Sequence, residues 1–148
     1  MRLVNPIRYG LVYVATAVGI GVGLEVLLRV TGIDLNSSAT SIMPAMVAAM
    51  IEGQQRAQSG EAAYTNGEAW RAAGVMTLVA LGIAGGFGFL LSFLPEWSRI
   101  FALLSAGVWL LIVAISGVVS LLVNRFFLTL GFKNKRKIMD RKIEDDFS

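Results

Sequence analysis

Long apolar runs separated by short polar stretches set the pattern of this chain, and most of them have the length of a membrane-crossing helix. No charge interrupts residues 9–24, and the run continues through Val26, Leu27 and Leu28 beyond the lone carboxylate of Glu25. About 20 residues at ~1.5 Å rise cover the ~30 Å hydrocarbon layer of a bilayer. Residues 7–29 therefore read as a first span. A secretory signal is the rival reading, since Arg2 and Arg8 precede the run, but Glu25 and Arg29 occupy the place of a small-residue cleavage site.

Residues 72–94 lie between Arg71 and Pro95-Glu96, and residues 100–123 between Arg99 and Asn124-Arg125. Each exceeds the length needed, so spans are predicted at residues 70–94 and 98–124. The short connection Pro95-Glu96-Trp97-Ser98-Arg99 predicts an antiparallel hairpin with Pro95 in a first helical turn. Trp70 and Trp97 fit interfacial aromatic belts. Ahead of residue 70, Thr65-Asn66-Gly67-Glu68 has capping-box spacing, so this helix is expected to start before the apolar run.

The remaining block, residues 35–51, is shorter and diluted by Ser37, Ser38, Thr40, Ser41 and Pro44. Ile42, Met43, Met46, Val47, Met50 and Ile51 form a helical stripe, while Ser41, Ala45 and Ala49 form a small-residue ladder at four-residue spacing. This predicts a helix with its small face against another helix and its bulky face toward lipid or further protein. It is assigned as a span over 36–52; an amphipathic helix lying in the interface is the alternative, against which the scarcity of Lys and Arg argues. Residues 52–71 form a polar, partly helical connection.

Composition agrees with this pattern. Of 148 residues 55% are apolar and 16% charged, with a mean hydropathy of +0.68, where soluble domains carry roughly 25% charged residues. There is no histidine and no cysteine. Disulfides, thiol redox pairs, Cys/His zinc sites, histidine-ligated haem and Ser-His-Asp catalysis are thereby excluded. Carboxylate-only chemistry and oxygen-ligated metals survive as classes, but no catalytic, cofactor or metal set is assigned.

Lys133, Lys135, Arg136, Lys137, Arg141 and Lys142 place the C-terminus in the cytoplasm by the positive-inside rule. Four spans put Arg2 and Arg8 on the same side; three would put them outside. The chain thus divides into a bundle, residues 1–132, and a charged tail, residues 133–148. Residues 125–132 are expected to turn along the headgroups, and Lys133, Lys135, Arg136 and Lys137 to bind anionic lipid at ~1 kcal/mol per charge. No interleaving of aromatic and basic residues suggests nucleic acid.

Gly19-Ile20-Gly21-Val22-Gly23 lies within an apolar helix, with neither a preceding strand nor a P-loop lysine, so it is no phosphate loop. Gly19 with Gly23 and Gly82 with Gly86 are instead GxxxG pairs, extended by Ala84 with Gly88 and Ala102 with Ala106. Their expected role is helix packing, within the chain or between chains. Glu25 is the one carboxylate set within an apolar zone, and Arg29 lies one turn on. Glu52 and Arg56 repeat that spacing. Both are expected to be intrahelical ion pairs, and Trp109 a packing residue.

The stretches Gly32-Ile33-Asp34-Leu35-Asn36-Ser37-Ser38, Ser41-Ile42-Met43-Pro44-Ala45-Met46-Val47-Ala48-Ala49-Met50 and Gly67-Glu68-Ala69-Trp70-Arg71 resemble a small family of uncharacterised bacterial inner-membrane proteins. The likeness covers the layout of residues 1–130. It implies a bacterial cytoplasmic membrane and a helical bundle, and transfers no catalytic residue. The expected protein is all-α, with four spans, non-enzymatic, an accessory or structural subunit packing against itself or a larger membrane complex. A small transporter acting as an oligomer is the alternative. A membrane enzyme ranks third and would depend on Glu25, Glu52, Glu61 and Glu68.

Overall fold

The computed structural model describes residues 4–33 and 40–146, all of whose regular structure is helical. The elements are α1 (Pro6–Thr31), α2 (Met43–Gln58), α3 (Asn66–Leu91), α4 (Pro95–Leu103) and α5 (Ala106–Asp146). α1, α3 and α5 are the three helices long and apolar enough to cross a membrane, which supports a multi-pass membrane protein.

Local signals account for the helix starts. Asn5 caps α1 by accepting from the backbone N–H of Arg8 (3.2 Å), with Pro6 in the first turn. Gly32 ends it in the left-handed conformation, φ 70°, where a side chain would be strained. Pro44 opens α2 and Pro95 opens α4 at positions where no amide partner is needed. The capping box of α3 forms as its spacing predicts: Thr65 Oγ1 accepts from the Glu68 amide, and Glu68 Oε2 accepts from the Thr65 amide at 2.9 Å.

Three expectations change. The second block is displaced: α2 begins at Met43 and passes through Glu52 to Gln58, because Pro44 sets its start and Glu52, Gln54, Gln55 and Arg56 are helix formers. Residues 36–39 of the expected span lie outside the described residues. The block at 98–124 is not one helix, since Leu104 is extended (ψ 129°) and divides α4 from α5. Across the break Trp109 stacks on Phe101, ring centroids 5.1 Å apart, and its indole N–H points at the Phe101 carbonyl (3.4 Å). Finally, α5 does not turn at Arg125 or at residue 132; it continues as one helix to Asp146, there being no proline after Pro95 to stop it.

Contacts fix the topology. Arg8 near the start of α1 meets Glu52 near the end of α2, so those helices are antiparallel. Asn124 with Thr77 and Arg125 with Asn66 join the start of α3 to the middle of α5, which are antiparallel too. α2 and α5 run in the same direction, with Gly53 on Leu128 and Phe132 and Gly131 on Met50. We call the end where these meet basal and the opposite end distal.

The core is basal: Tyr9, Ala48, Ala49, Ala72, Met76, Ala80 and Leu128. Among the described residues, none is buried in α1 after Gly10, in α3 after Ala80, in α4, or in α5 before Asn124. Helix lengths explain the asymmetry. From Arg8 to Arg29 α1 rises ~31 Å, a full hydrocarbon thickness, whereas α2 from Pro44 to Glu52 rises only ~12 Å. Its start shares a cavity with Tyr13, Leu81 and Ser116, well inside the span. The distal half therefore lacks a fourth helix.

Candidate functional site

The basal ends of α1 and α2 and the connection into α3 gather charges from distant parts of the sequence. Glu52 has a side chain only 2% exposed and accepts from Arg8 twice, Nε to Oε1 at 2.6 Å and Nη2 to Oε2 at 2.9 Å. The Asn5 amide donates to the same carboxylate at 3.1 Å. Such a two-pronged guanidinium–carboxylate pair with an added backbone donor is the arrangement that makes burial of a carboxylate tolerable.

One turn further, the Arg56 side chain is 5% exposed. Its Nε donates to the Ala62 carbonyl (2.9 Å), its Nη2 reaches Glu68 Oε2 (3.4 Å), and Glu61 Oε2 lies 3.5 Å from Nε. The guanidinium sits 4.0 Å above the Tyr64 ring. Burial raises the ionisation of the Tyr64 phenol above its ordinary range, the Arg56 charge opposing it in part. Glu52 and Arg56 are thus not each other's partners, despite their spacing. Tertiary packing supplies Arg8 to one and the α2–α3 connection to the other.

These groups border a cleft of about 240 Å³ that includes Asn5, Arg8, Glu52, Arg56, Glu61 and Tyr64. Two buried polar atoms around it lack a hydrogen-bond partner, Arg56 Nη1 and Glu61 Oε2.

A second polar group lies deeper. The Tyr9 hydroxyl donates to Asn124 Oδ1 (2.9 Å), and Asn124 Nδ2 donates to Thr77 Oγ1 (3.2 Å). All three residues are buried, and they tie α1, α5 and α3 together. The sequence marks Asn124 only as a membrane exit; its amide is instead the junction of the bundle. Near it Arg125 lies 4.3 Å over the Trp70 ring and donates to Asn66 Oδ1 at 2.6 Å.

The other residues singled out are dispersed. Glu25 and Arg29 form an exposed pair at 2.8 Å near the distal end of α1, remote from the cleft. Ala45 and Ala49 are buried, and Ser41 borders a cavity of about 350 Å³ beside Tyr13, Ser116 and Ser120. Gly19, Gly23, Gly82 and Gly86 face open space, with nothing within 4 Å of an added Cβ. Lys133, Arg136 and Lys137 are exposed on α5, and Lys135 is half-buried. Among the described residues no group of three acidic side chains could hold a metal.

Sequence reasoning overlooked the closest helix contact. A Cβ on Gly53 would strike the Leu128 carbonyl oxygen and lie 2.8 Å from the Phe132 amide nitrogen; one on Gly131 would strike the Met50 carbonyl. The available signal was the ladder Ala45, Ala49, Gly53, Ala57, which continues past the expected end of the span. Compared with family models, curated proteins and solved structures, the chain finds no significant match.

Proposed function

We propose that this chain is a non-enzymatic, multi-pass protein of the bacterial inner membrane. It serves as an accessory or structural subunit that packs through its distal half against a second copy or a larger membrane complex. The supporting observation is that Gly19, Gly21 and Gly23 on α1 and Gly82, Gly85, Gly86 and Gly88 on α3 all stand in open space. Lipid contact alone does not reward glycine, which costs a helix about 1 kcal/mol relative to alanine. A bare backbone is useful where another helix comes close. The basal charges and the basic end of α5 orient the molecule with its basal end, N-terminus and C-terminus in the cytoplasm. α2 then makes a partial crossing between α1 and α3.

The chain has no cysteine, so the test has no background. Single cysteines at Gly19, Gly23, Gly82 and Gly86, oxidised in native membranes, should give cross-linked dimers or adducts with a partner. A cysteine at Leu11, exposed on the basal part of α1, should not. Absence of adducts at all four, together with a monomeric mass in mild detergent, would reject the reading.

The start of α2 beside the hydroxyl-bordered cavity of Tyr13, Ser41, Ser116 and Ser120 favours one alternative. Discontinuous helices near the bilayer midplane are a feature of small-solute transporters. Solute or ion flux in liposomes containing the purified chain would favour it, and tight vesicles would remove it.

A further inference from the structure

The basal cleft combines features that the packing role leaves unused. Two cations, Arg8 and Arg56, and two carboxylates, Glu52 and Glu61, border it. Its formal charge is balanced, which matches neither a bare anion nor a bare cation. Glu52 is consumed by Arg8 and Asn5. What remains is one donor and one acceptor, Arg56 Nη1 and Glu61 Oε2, both buried and both without a hydrogen bond. Unpaired buried polar atoms are costly and rare, and here they have opposite character within one cleft.

We propose that the cleft binds a phosphoethanolamine group, the phosphate accepting from Arg56 Nη1 and the ammonium donating to Glu61. A choline group has no N–H to give Glu61. The Tyr64 face that could otherwise receive it is covered by the Arg56 guanidinium at 4.0 Å. A glycerol phosphate brings negative charge without the ammonium and meets two carboxylates. Selection is therefore for the primary ammonium together with the phosphate. The group reaches the cleft as a phospholipid headgroup or as a free phosphoethanolamine. The lipid source rests on the membrane reading above, because the cleft lies at the end of α1 where the apolar run begins; the headgroup chemistry does not.

The full-length protein in mild detergent would be titrated with phosphatidylethanolamine, phosphatidylcholine and phosphatidylglycerol of identical acyl chains, read by native mass spectrometry. Soluble phosphoethanolamine and inorganic phosphate would be separate arms. Each charge-assisted bond lost should weaken binding about tenfold or more, so the ethanolamine lipid should lead both others by at least that factor. Glu61→Gln, whose side chain is 34% exposed and tolerant of change, should abolish the preference while the far-UV spectrum is retained. Arg56→Gln should weaken every phospholipid. Competition by soluble phosphoethanolamine, but not by phosphate, would show that the headgroup suffices; preference for the lipid without such competition would restrict the source to the bilayer. Equal affinity for the three lipids, or an unchanged preference in Glu61→Gln, overturns the proposal. Recovery of the folded protein without detergent would remove the membrane reading and leave the soluble arm as an independent test.

Discussion

At Gly53 an added methyl would meet the Leu128 carbonyl and the Phe132 amide, and at Gly131 the Met50 carbonyl, all backbone atoms that cannot rotate aside. Gly53→Ala and Gly131→Ala should therefore force α2 from α5 and cost at least the ~1–3 kcal/mol typical of overpacking. Gly74→Ala, with nothing within 4 Å of its Cβ, should stay within ~0.5 kcal/mol of the parent. Reversible unfolding in mixed micelles would compare them. Asn124 gives a second residue-scale expectation. Asn124→Leu loses the bonds to Tyr9 and Thr77 and should cost ~1–2 kcal/mol, the range for hydrogen bonds between membrane helices. Adding Tyr9→Phe should cost less than the sum of the two changes, because they share a partner. The ladder containing Gly53 is visible in the sequence; Gly131 is not, because it stands alone among aromatic and aliphatic residues. Nor does the sequence separate Asn124 from an ordinary polar flank, since only the fold brings Tyr9 and Thr77 to it.

Elements divide by how they hold their shape. α2 is short and its inward side is alanine, glycine and paired charge, so it depends on neighbours. α5 is the opposite case: beyond Phe132 none of its described residues is buried, and its final turns carry only the weak Arg136–Asp140 pair at 3.8 Å. Amide exchange in detergent should be faster at residues 137–144 than at residues 124–132 by about two orders of magnitude or more, since unpartnered helix ends open locally. Equal protection would mean that something covers this end. Hydropathy located α1, α3 and the apolar part of α5, because length and charge-free composition decide those. It did not locate the break at Leu104 or the uninterrupted course of α5 through residue 132. Hydropathy records what solvates a residue, whereas backbone continuity depends on caps and breakers. The Glu52 and Arg56 partnerships were missed for a related reason: one-turn spacing offers each the other, but burial rewards the partner with better geometry.

For the whole molecule, the consequence is a basal half with a packed core and a distal half without one. Single cysteines at Ile33 and Ser59, the described residues nearest the end of α1 and the end of α2, should react with a membrane-impermeant thiol reagent from opposite sides. Ile33 should label in intact cells stripped of their outer layers, and Ser59 only in inverted vesicles. Labelling of both from one side would require a different number of crossings. The all-α class and the three long apolar helices were legible in the sequence; the concentration of the core at one end was not. It arises from pairings such as Tyr9 with Asn124 and Arg8 with Glu52, separated by 115 and 44 positions.

The parallel seating of α2 on α5 also has a consequence for how the protein is made. The Leu128–Phe132 surface that receives Gly53 leaves the ribosome long after α2 itself, and α2 alone is too short to cross a bilayer. During synthesis α2 must wait, held near the surface by Glu52 and Arg56, until the last helix arrives to draw it inward. The order of translation thus becomes an order of assembly, with the final helix acting as the template for the second.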